Sequence, residues 1–364
     1  MKLKHIDSIR GIAILMVILV HTSQKIDGLN IISLIIAGYG QMGVQLFFVA
    51  SAFTLCLSAS KRENESKPIA KYAIRRAFRI APTYYLGILG YFVLSLIRSM
   101  YLNGNIIIPE KYTFENVFSN LLFVHGFYEP ANNIIVPGGW SIGTEMAFYV
   151  LFPLLYLIAI KIPIFTIAKM ASWLLAGLFI SQFGIALLSF NGSTISNSNF
   201  IYFNLITQLP VFFIGIGYYF ISNRSILDHN WKFDALLFFC FTCISIFLWQ
   251  LKIDHLFSII PFTSGISFMF LMEIFRKNDG FNRAILIRIG QVSYSMYIIH
   301  FIFAHTITGF LAPLLSSHLK SDISLLLFYA LSVSGSFILA LLTEKYLEKP
   351  FIGIGRNIIA RLNT

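Results

Sequence analysis

Charge is scarce in this sequence. Asp, Glu, Lys and Arg make up only 12% of its 364 residues, while 57% are hydrophobic. A soluble domain carries about 25% charged residues, so a soluble globular protein is excluded. Cysteine is scarce too. Cys56, Cys240 and Cys243 all lie in apolar stretches, which excludes a disulfide framework. Cys240-x-x-Cys243 has no His or Cys partner nearby, so small-residue helix packing is preferred to metal or redox chemistry. The first apolar run is not followed by an A-x-A-like cleavage site and reads as a retained helix rather than a signal peptide. Acidic residues are outnumbered, 16 against 27 Lys and Arg, giving a net charge of +11.

What the chain has is aromatic and apolar. Its 37 Phe and 17 Tyr suit a lipid-facing surface with an interfacial belt. A spanning helix needs about 20 apolar residues. Ten segments qualify, near 9–26, 42–60, 81–101, 141–160, 170–190, 201–222, 233–251, 256–275, 290–312 and 323–344. The expected fold is therefore all-α, a polytopic membrane protein of about ten transmembrane helices. Residues 1–364 read as one integral-membrane domain with no appended soluble domain. The cations crowd alternate connections. Lys61, Arg62, Lys67, Lys71, Arg75, Arg76 and Arg79 share one, and Arg276, Lys277, Arg283 and Arg288 another. The intervening connections hold only Lys25, Arg98, Lys111, Lys252 and Lys320. This asymmetry places both termini in the cytoplasm. It also accounts for the positive charge through orientation and membrane lipid, with no nucleic acid needed.

The longest outer connection, about 102–140, contains Pro109, Pro130, Pro137 and Gly138-Gly139. Its stretch Phe118–Val124 is too short to span and reads as a re-entrant or interfacial segment. After Pro350 the tail reads as a basic amphipathic end on the inner surface.

Ionisable groups inside apolar segments carry the functional signal, because each costs at least a few kcal/mol in hydrocarbon. Arg10 and His21 bracket the unbroken run Gly11–Val20. Eleven residues return to nearly one helical face, about 16 Å apart along the axis. Asp7 lies one turn before Arg10, within capping and ion-pair reach. Arg10 reads either as a snorkelling anchor or as a functional cation, and His21 as a structural histidine or a base. Arg75, Arg76 and Arg79 form a multi-pronged cationic surface, suited to phosphate or to lipid headgroups. Glu145 follows Trp140 and Ser141 at the start of the fourth segment. It caps the helix start, or faces a cavity at a depth similar to His21 and orients that ring. Tyr297 and His300 share a face of the ninth segment. His305 falls off that face at α-helical spacing and reads as packing; His125 and His255 read as outer-loop residues.

Taken in order, these segments resemble the membrane-bound acyltransferase 3 family. The carriers are Ile6-Asp7-Ser-Ile-Arg10-Gly-Ile-Ala-Ile with His21, Gly43-Val-Gln-Leu-Phe-Phe-Val-Ala-Ser51-Ala-Phe53, Arg76-x-x-Arg79, Trp140-Ser-Ile-x-x-Glu145-x-x-Phe-Tyr149 and Tyr294-x-x-Tyr297-x-x-His300. One departure stands out: Ala52 occupies a position that is usually glycine. The resemblance implies a multi-pass protein of the bacterial cytoplasmic membrane. It implies acetyl transfer from cytoplasmic acetyl-CoA to a sugar hydroxyl of a surface polysaccharide or its lipid-linked precursor, O-antigen foremost. Under it His21 is the general base or acyl carrier, with Arg10 and Glu145 as catalytic partners. Arg75, Arg76 and Arg79 bind the donor. Asp7, Ser51, Trp140, Ser141, Tyr149, Tyr297 and His300 line the substrate cavity, and no metal is expected. The competing readings are a proton-coupled transporter with a His21–Glu145 relay, transfer of another acyl group to a small acceptor, and a non-catalytic scaffold.

Overall fold

The computed structural model describes residues 3–162, 166–189, 194–195, 198–222, 227, 229–251, 253–315 and 319–362, with the side chains of 254 and 255 excepted. Lys2, Arg224, Lys252 and the side chain of His255 lie outside the described residues. The described residues form helices joined by turns and loops, with no strand among them. Its helices are α1 (Lys4–Ser23), α2 (Ile31–Tyr39), α3 (Gly43–Ser60), α4 (Pro68–Asn103), α5 (Phe114–Leu121) and α6 (Gly139–Ile160). They continue with α7 (Ile167–Leu188), α8 (Asn199–Phe203), α9 (Leu205–Ser222), α10 (Trp231–Leu251), α11 (Asp254–Phe257) and α12 (Ile260–Lys277). The last five are α13 (Ala284–Gln291), α14 (Ser293–Phe301), α15 (Thr308–Leu315), α16 (Ser321–Thr343) and α17 (Lys349–Arg361).

Among the described residues, 9 helical segments are long and apolar enough to cross a membrane. The expected segment at 256–275 is the one that falls short, although it does form α12. Its last turns carry Glu273, Arg276 and Lys277, and these are tied inward rather than left to lipid. Arg276 grips Glu273 through Nε at 2.8 Å and Nη2 at 2.5 Å, and Tyr218 donates to the same carboxylate at 2.8 Å. Lys277 bridges Glu273 at 3.3 Å to the buried Asp234 at 2.7 Å. A buried charge survives only when paired in this way, so α12 is a protein-enclosed helix with a polar end.

Three aromatic rings knit the centre. Phe212 of α9 stacks on Phe148 of α6 at 3.8 Å between centroids and on Phe48 of α3 at 4.7 Å. Nearby, α3 and α9 approach closely. A Cβ placed on Gly215 would lie 2.5 Å from the Val49 carbonyl and 2.7 Å from the Ala52 methyl. The methyl that Ala52 adds therefore presses on this helix contact, opposite a glycine that makes room for it.

Two helices outrun the bilayer. α4 has 36 residues, about 54 Å at 1.5 Å per residue, against a hydrocarbon core of about 30 Å. The last spanning helix runs on through Ser321–Arg361 without a break. The expected surface tail is thus a continuation of α16, and its end packs along the first turns of α4, with Gly355 against Phe78.

The long connection before α6 folds over one end of the bundle. Its helix α5 turns polar Asn116, Ser119 and Asn120 inward and leaves Phe114 and Phe118 exposed. This reversed amphipathicity fits an interfacial segment. His125 pins the connection from inside. It is fully buried, its Nε2 lies 2.9 Å from the Gly139 carbonyl, and its ring stacks on Tyr84. Burial pushes its pKa below the ordinary histidine value. With the folded pKa depressed, the unfolded segment binds the proton more readily, so local stability is full above the unfolded pKa of about 6.5 and falls as pH drops below it. Protection of amides 114–134, taken relative to the intrinsic exchange rate at each pH, is expected to fall between about pH 6.5 and 5, and His125→Gln should remove that pH dependence. A flat profile in the unsubstituted protein would contradict the role.

Candidate functional site

A partly open cavity lies where α1, α3, α4, α6 and α14 converge. Arg10 of α1, Arg79 of α4 and Glu145 of α6 all line it. Ser51, Ser141, Tyr149, Tyr294 and Tyr297 supply hydroxyls, and Phe47 and Phe48 an apolar wall. Glu145 is fixed at one oxygen: Ser51 donates to it at 2.5 Å and Tyr149 at 2.6 Å. Arg10 reaches across to the Thr54 hydroxyl, at 3.3 Å. Among the described residues neither Arg10 nor Arg79 forms an ion pair. Two cations and one carboxylate thus face one space, leaving it with an excess positive charge that favours an anionic occupant.

Gly138 shapes the mouth of α6. Its φ is +76°, and a Cβ there would lie 2.9 Å from the Phe301 ring and 3.1 Å from Tyr297 Oη. Only glycine meets both demands. The Gly138 carbonyl then accepts from Tyr297 Oη at 3.0 Å, and Ser141 Oγ, 3.1 Å from the same carbonyl, gives its one proton to Tyr297 Oη at 2.7 Å.

The three arginines of α4 part company. Arg75 is held by Glu65 through two bonds of 3.0 and 2.8 Å. This grip draws the Glu65 carboxyl below its ordinary pKa. Arg76 lies over the rings of Tyr149 at 5.5 Å and Tyr72 at 5.9 Å. Arg79 alone enters the cavity. The single cationic surface expected from helical spacing is three separate environments.

His21 belongs to a second cluster. Its ring packs on Phe301 at 4.3 Å, on His300 at 5.4 Å and on His305 at 5.5 Å. The Oε1 of Gln24 lies 3.1 Å from His21 Nδ1 and 3.2 Å from His305 Nε2. His300 is wholly buried, with Nδ1 at 2.6 Å from the Tyr297 carbonyl and Nε2 without a partner. His305 joins because Ile302–Ile307 forms a π-helical turn. Such a turn bonds i to i+5, which brings position 305 round to the face of 300.

Several expected partners are therefore not together. Glu145 bonds Ser51 and Tyr149, not His21, and the depths explain why. His21 stands two residues from the end of α1, about 3 Å, whereas Glu145 lies six residues into α6, about 9 Å. Asp7 neither caps α1, which begins at Lys4, nor pairs with Arg10; its carboxylate accepts from Gln291 at 3.4 Å. Trp140 stacks on Phe203 at 4.2 Å and stands behind the cavity wall. Asp7, Trp140 and His300, expected as cavity lining, are not among the lining residues, whereas Ser51, Ser141, Tyr149 and Tyr297 are. Thr54, Gln24 and His305 are contacts that the sequence reading missed or set aside. Gln24 sits one turn from His21 and Thr54 one turn from Ser51, so helical spacing held the signal for both. Among the described residues, no group of three or more His, Cys, Asp or Glu is arranged to hold a metal ion.

Comparison with known proteins adds an independent finding. A family described as "Acyltransferase domain" matches residues 3–345. Acyltransferase MdmB of Streptomyces mycarofaciens is 22% identical over 292 residues, spanning 74% of this chain and 70% of its own length. No solved structure matches the chain.

Proposed function

The chain belongs to the acyltransferase 3 family, and on that premise we propose that it moves an acetyl group from cytoplasmic acetyl-CoA to a sugar hydroxyl. The acceptor is a bacterial surface polysaccharide or its lipid-linked precursor, O-antigen foremost, and the protein works in the bacterial inner membrane with both termini cytoplasmic. The observation that carries this reading is the excess positive charge of the cavity, with Arg10 and Arg79 unpaired beside Glu145. A coenzyme A donor brings the phosphates such a site lacks.

In this reading the phosphates are met by Arg76 and Arg79, with Arg75 kept on Glu65. Arg10, Ser51 and Tyr149 line the way for the pantetheine arm. His21 accepts the proton of the acceptor hydroxyl through Nε2. The hydroxyl oxygen bonds to the thioester carbon, the carbon–sulfur bond breaks, and the thiolate leaves with the proton from His21. The products are the acetyl ester and free coenzyme A thiol. Glu145 holds Ser51 and Tyr149 in place and offsets part of the arginine charge.

The test compares surface polysaccharide from cells with and without this protein, by proton NMR and mass spectrometry. An acetyl-sized mass difference with a new O-acetyl resonance is expected. Identical polysaccharides, alongside a different acylated product, would redirect the acceptor assignment.

A further inference from the structure

The hydrogen bonds around His21 decide which of its nitrogens can act. An amide oxygen only accepts. The Gln24 Oε1 therefore accepts hydrogen bonds from His21 Nδ1–H at 3.1 Å and from His305 Nε2–H at 3.2 Å. With Nδ1 carrying the proton, the neutral His21 ring presents its lone pair at Nε2. The His300 ring is settled in the same way, since a backbone carbonyl 2.6 Å from its Nδ1 only accepts. Gln24 itself is exposed, and a surface glutamine spends its amide on water unless a partner holds it. Here one oxygen serves two rings carried by separate parts of the chain, and the π-helical turn at Ile302–Ile307 supplies the second.

We infer that Gln24 is a positioning residue. It locks His21 in the Nδ1–H tautomer with Nε2 free to accept a proton, and His305 anchors the far side of that glutamine. This rests on the acyl-transfer reading for the identity of the base. As His21 takes the acceptor's proton, the ring becomes a cation with both nitrogens protonated. The amide oxygen then stabilises Nδ1–H more strongly than in the neutral ring, because hydrogen bonds from ionised donors are stronger. A neutral glutamine does this without setting a permanent opposite charge beside the ring, which would hold the proton too tightly to return it to the leaving thiolate.

The charges around His21 make the effect readable. His300 and His305 face it from the opposing segment, and Lys25 lies four residues on. α2 and α3 contain no charged residue. The charges of α12 and α13 lie towards the other end of α1, and Asp322 of α16 accepts from the Asn30 backbone.

Two measurements on the full-length protein in nanodiscs test the inference. The first is solid-state NMR of the protein labelled with 15N-histidine, with His21 assigned by its loss in His21→Ala. The expected result is the Nδ1–H tautomer for His21, giving way to a tautomer mixture in Gln24→Leu. An Nε2–H tautomer in the unsubstituted protein, or one unchanged in Gln24→Leu, would overturn the inference whether or not the protein proves to be an acyltransferase. The second is acetyl transfer against pH. Gln24→Leu should lower kcat by about ten- to hundredfold, the scale seen when a group orienting a functional histidine is removed, with KM for acetyl-CoA little changed. Gln24→Glu should keep the tautomer and move the acid limb to higher pH, since a carboxylate favours the protonated ring. Unchanged kcat and pH limb in both variants, while the unsubstituted protein transfers acetyl, would refute the positioning role alone. Absence of transfer in the unsubstituted protein would instead fall on the acyl-transfer reading.

Discussion

Acetylation by the His21→Ala variant is expected to fall to background, with the protein still present in the membrane at its usual level. General-base catalysis is worth typically about 10²–10⁴-fold. His300 Nε2 also keeps a free lone pair, but its ring is wholly buried, and His305 is tied to Gln24 through Nε2. Folding should survive, because His21 is only half-buried near the end of α1. The measurement is O-acetyl content of the polysaccharide by NMR, beside membrane abundance by immunoblot. Acetyl content above a tenth of normal would remove His21 from the base role.

The second large effect should divide the α4 arginines. Arg79→Leu is expected to weaken binding of coenzyme A by about ten- to hundredfold, since a hydrogen bond to a charged group is worth about 1.5–3 kcal/mol. Arg75→Leu should cost little, because its guanidinium is already engaged by Glu65 in a half-buried pair. Calorimetry with coenzyme A in nanodiscs reads both without needing the acceptor. Raising salt should weaken binding to the unsubstituted protein more than to Arg79→Leu. Equal losses in the two variants would return the three arginines to one shared surface.

The contrast between these arginines marks where sequence reading stops. Helical spacing correctly grouped them on neighbouring turns, but it is blind to Glu65, which comes back from the preceding connection. The spanning segments were legible because membrane helices are long and apolar, and α12 blurred only where its end becomes charged. Ser51, Ser141, Tyr149 and Tyr297, assigned to a substrate cavity through the family resemblance, do line the cavity between α1, α3, α4, α6 and α14. The Glu145–His21 pairing was misread because depth was counted from approximate segment ends. α1 ends at Ser23 rather than near 26 and α6 begins at Gly139 rather than near 141, and a few residues of error at 1.5 Å each separate a contact from a gap. His305 was set aside for another reason: a period of 3.6 residues was applied across a stretch that does not obey it.

The wide turn at Ile302–Ile307 amounts to one surplus residue stored inside a helix. Deleting Ile302, Phe303 or Ala304 would let the backbone relax to α-helical geometry and leave the histidine four residues after His300, still on its face. Straightening the turn at constant length would instead leave His305 five residues on, about 140° off that face, and Gln24 would lose its second ring. The three-ring arrangement therefore tolerates loss of the surplus residue but not an exchange of side chains that removes the wide turn.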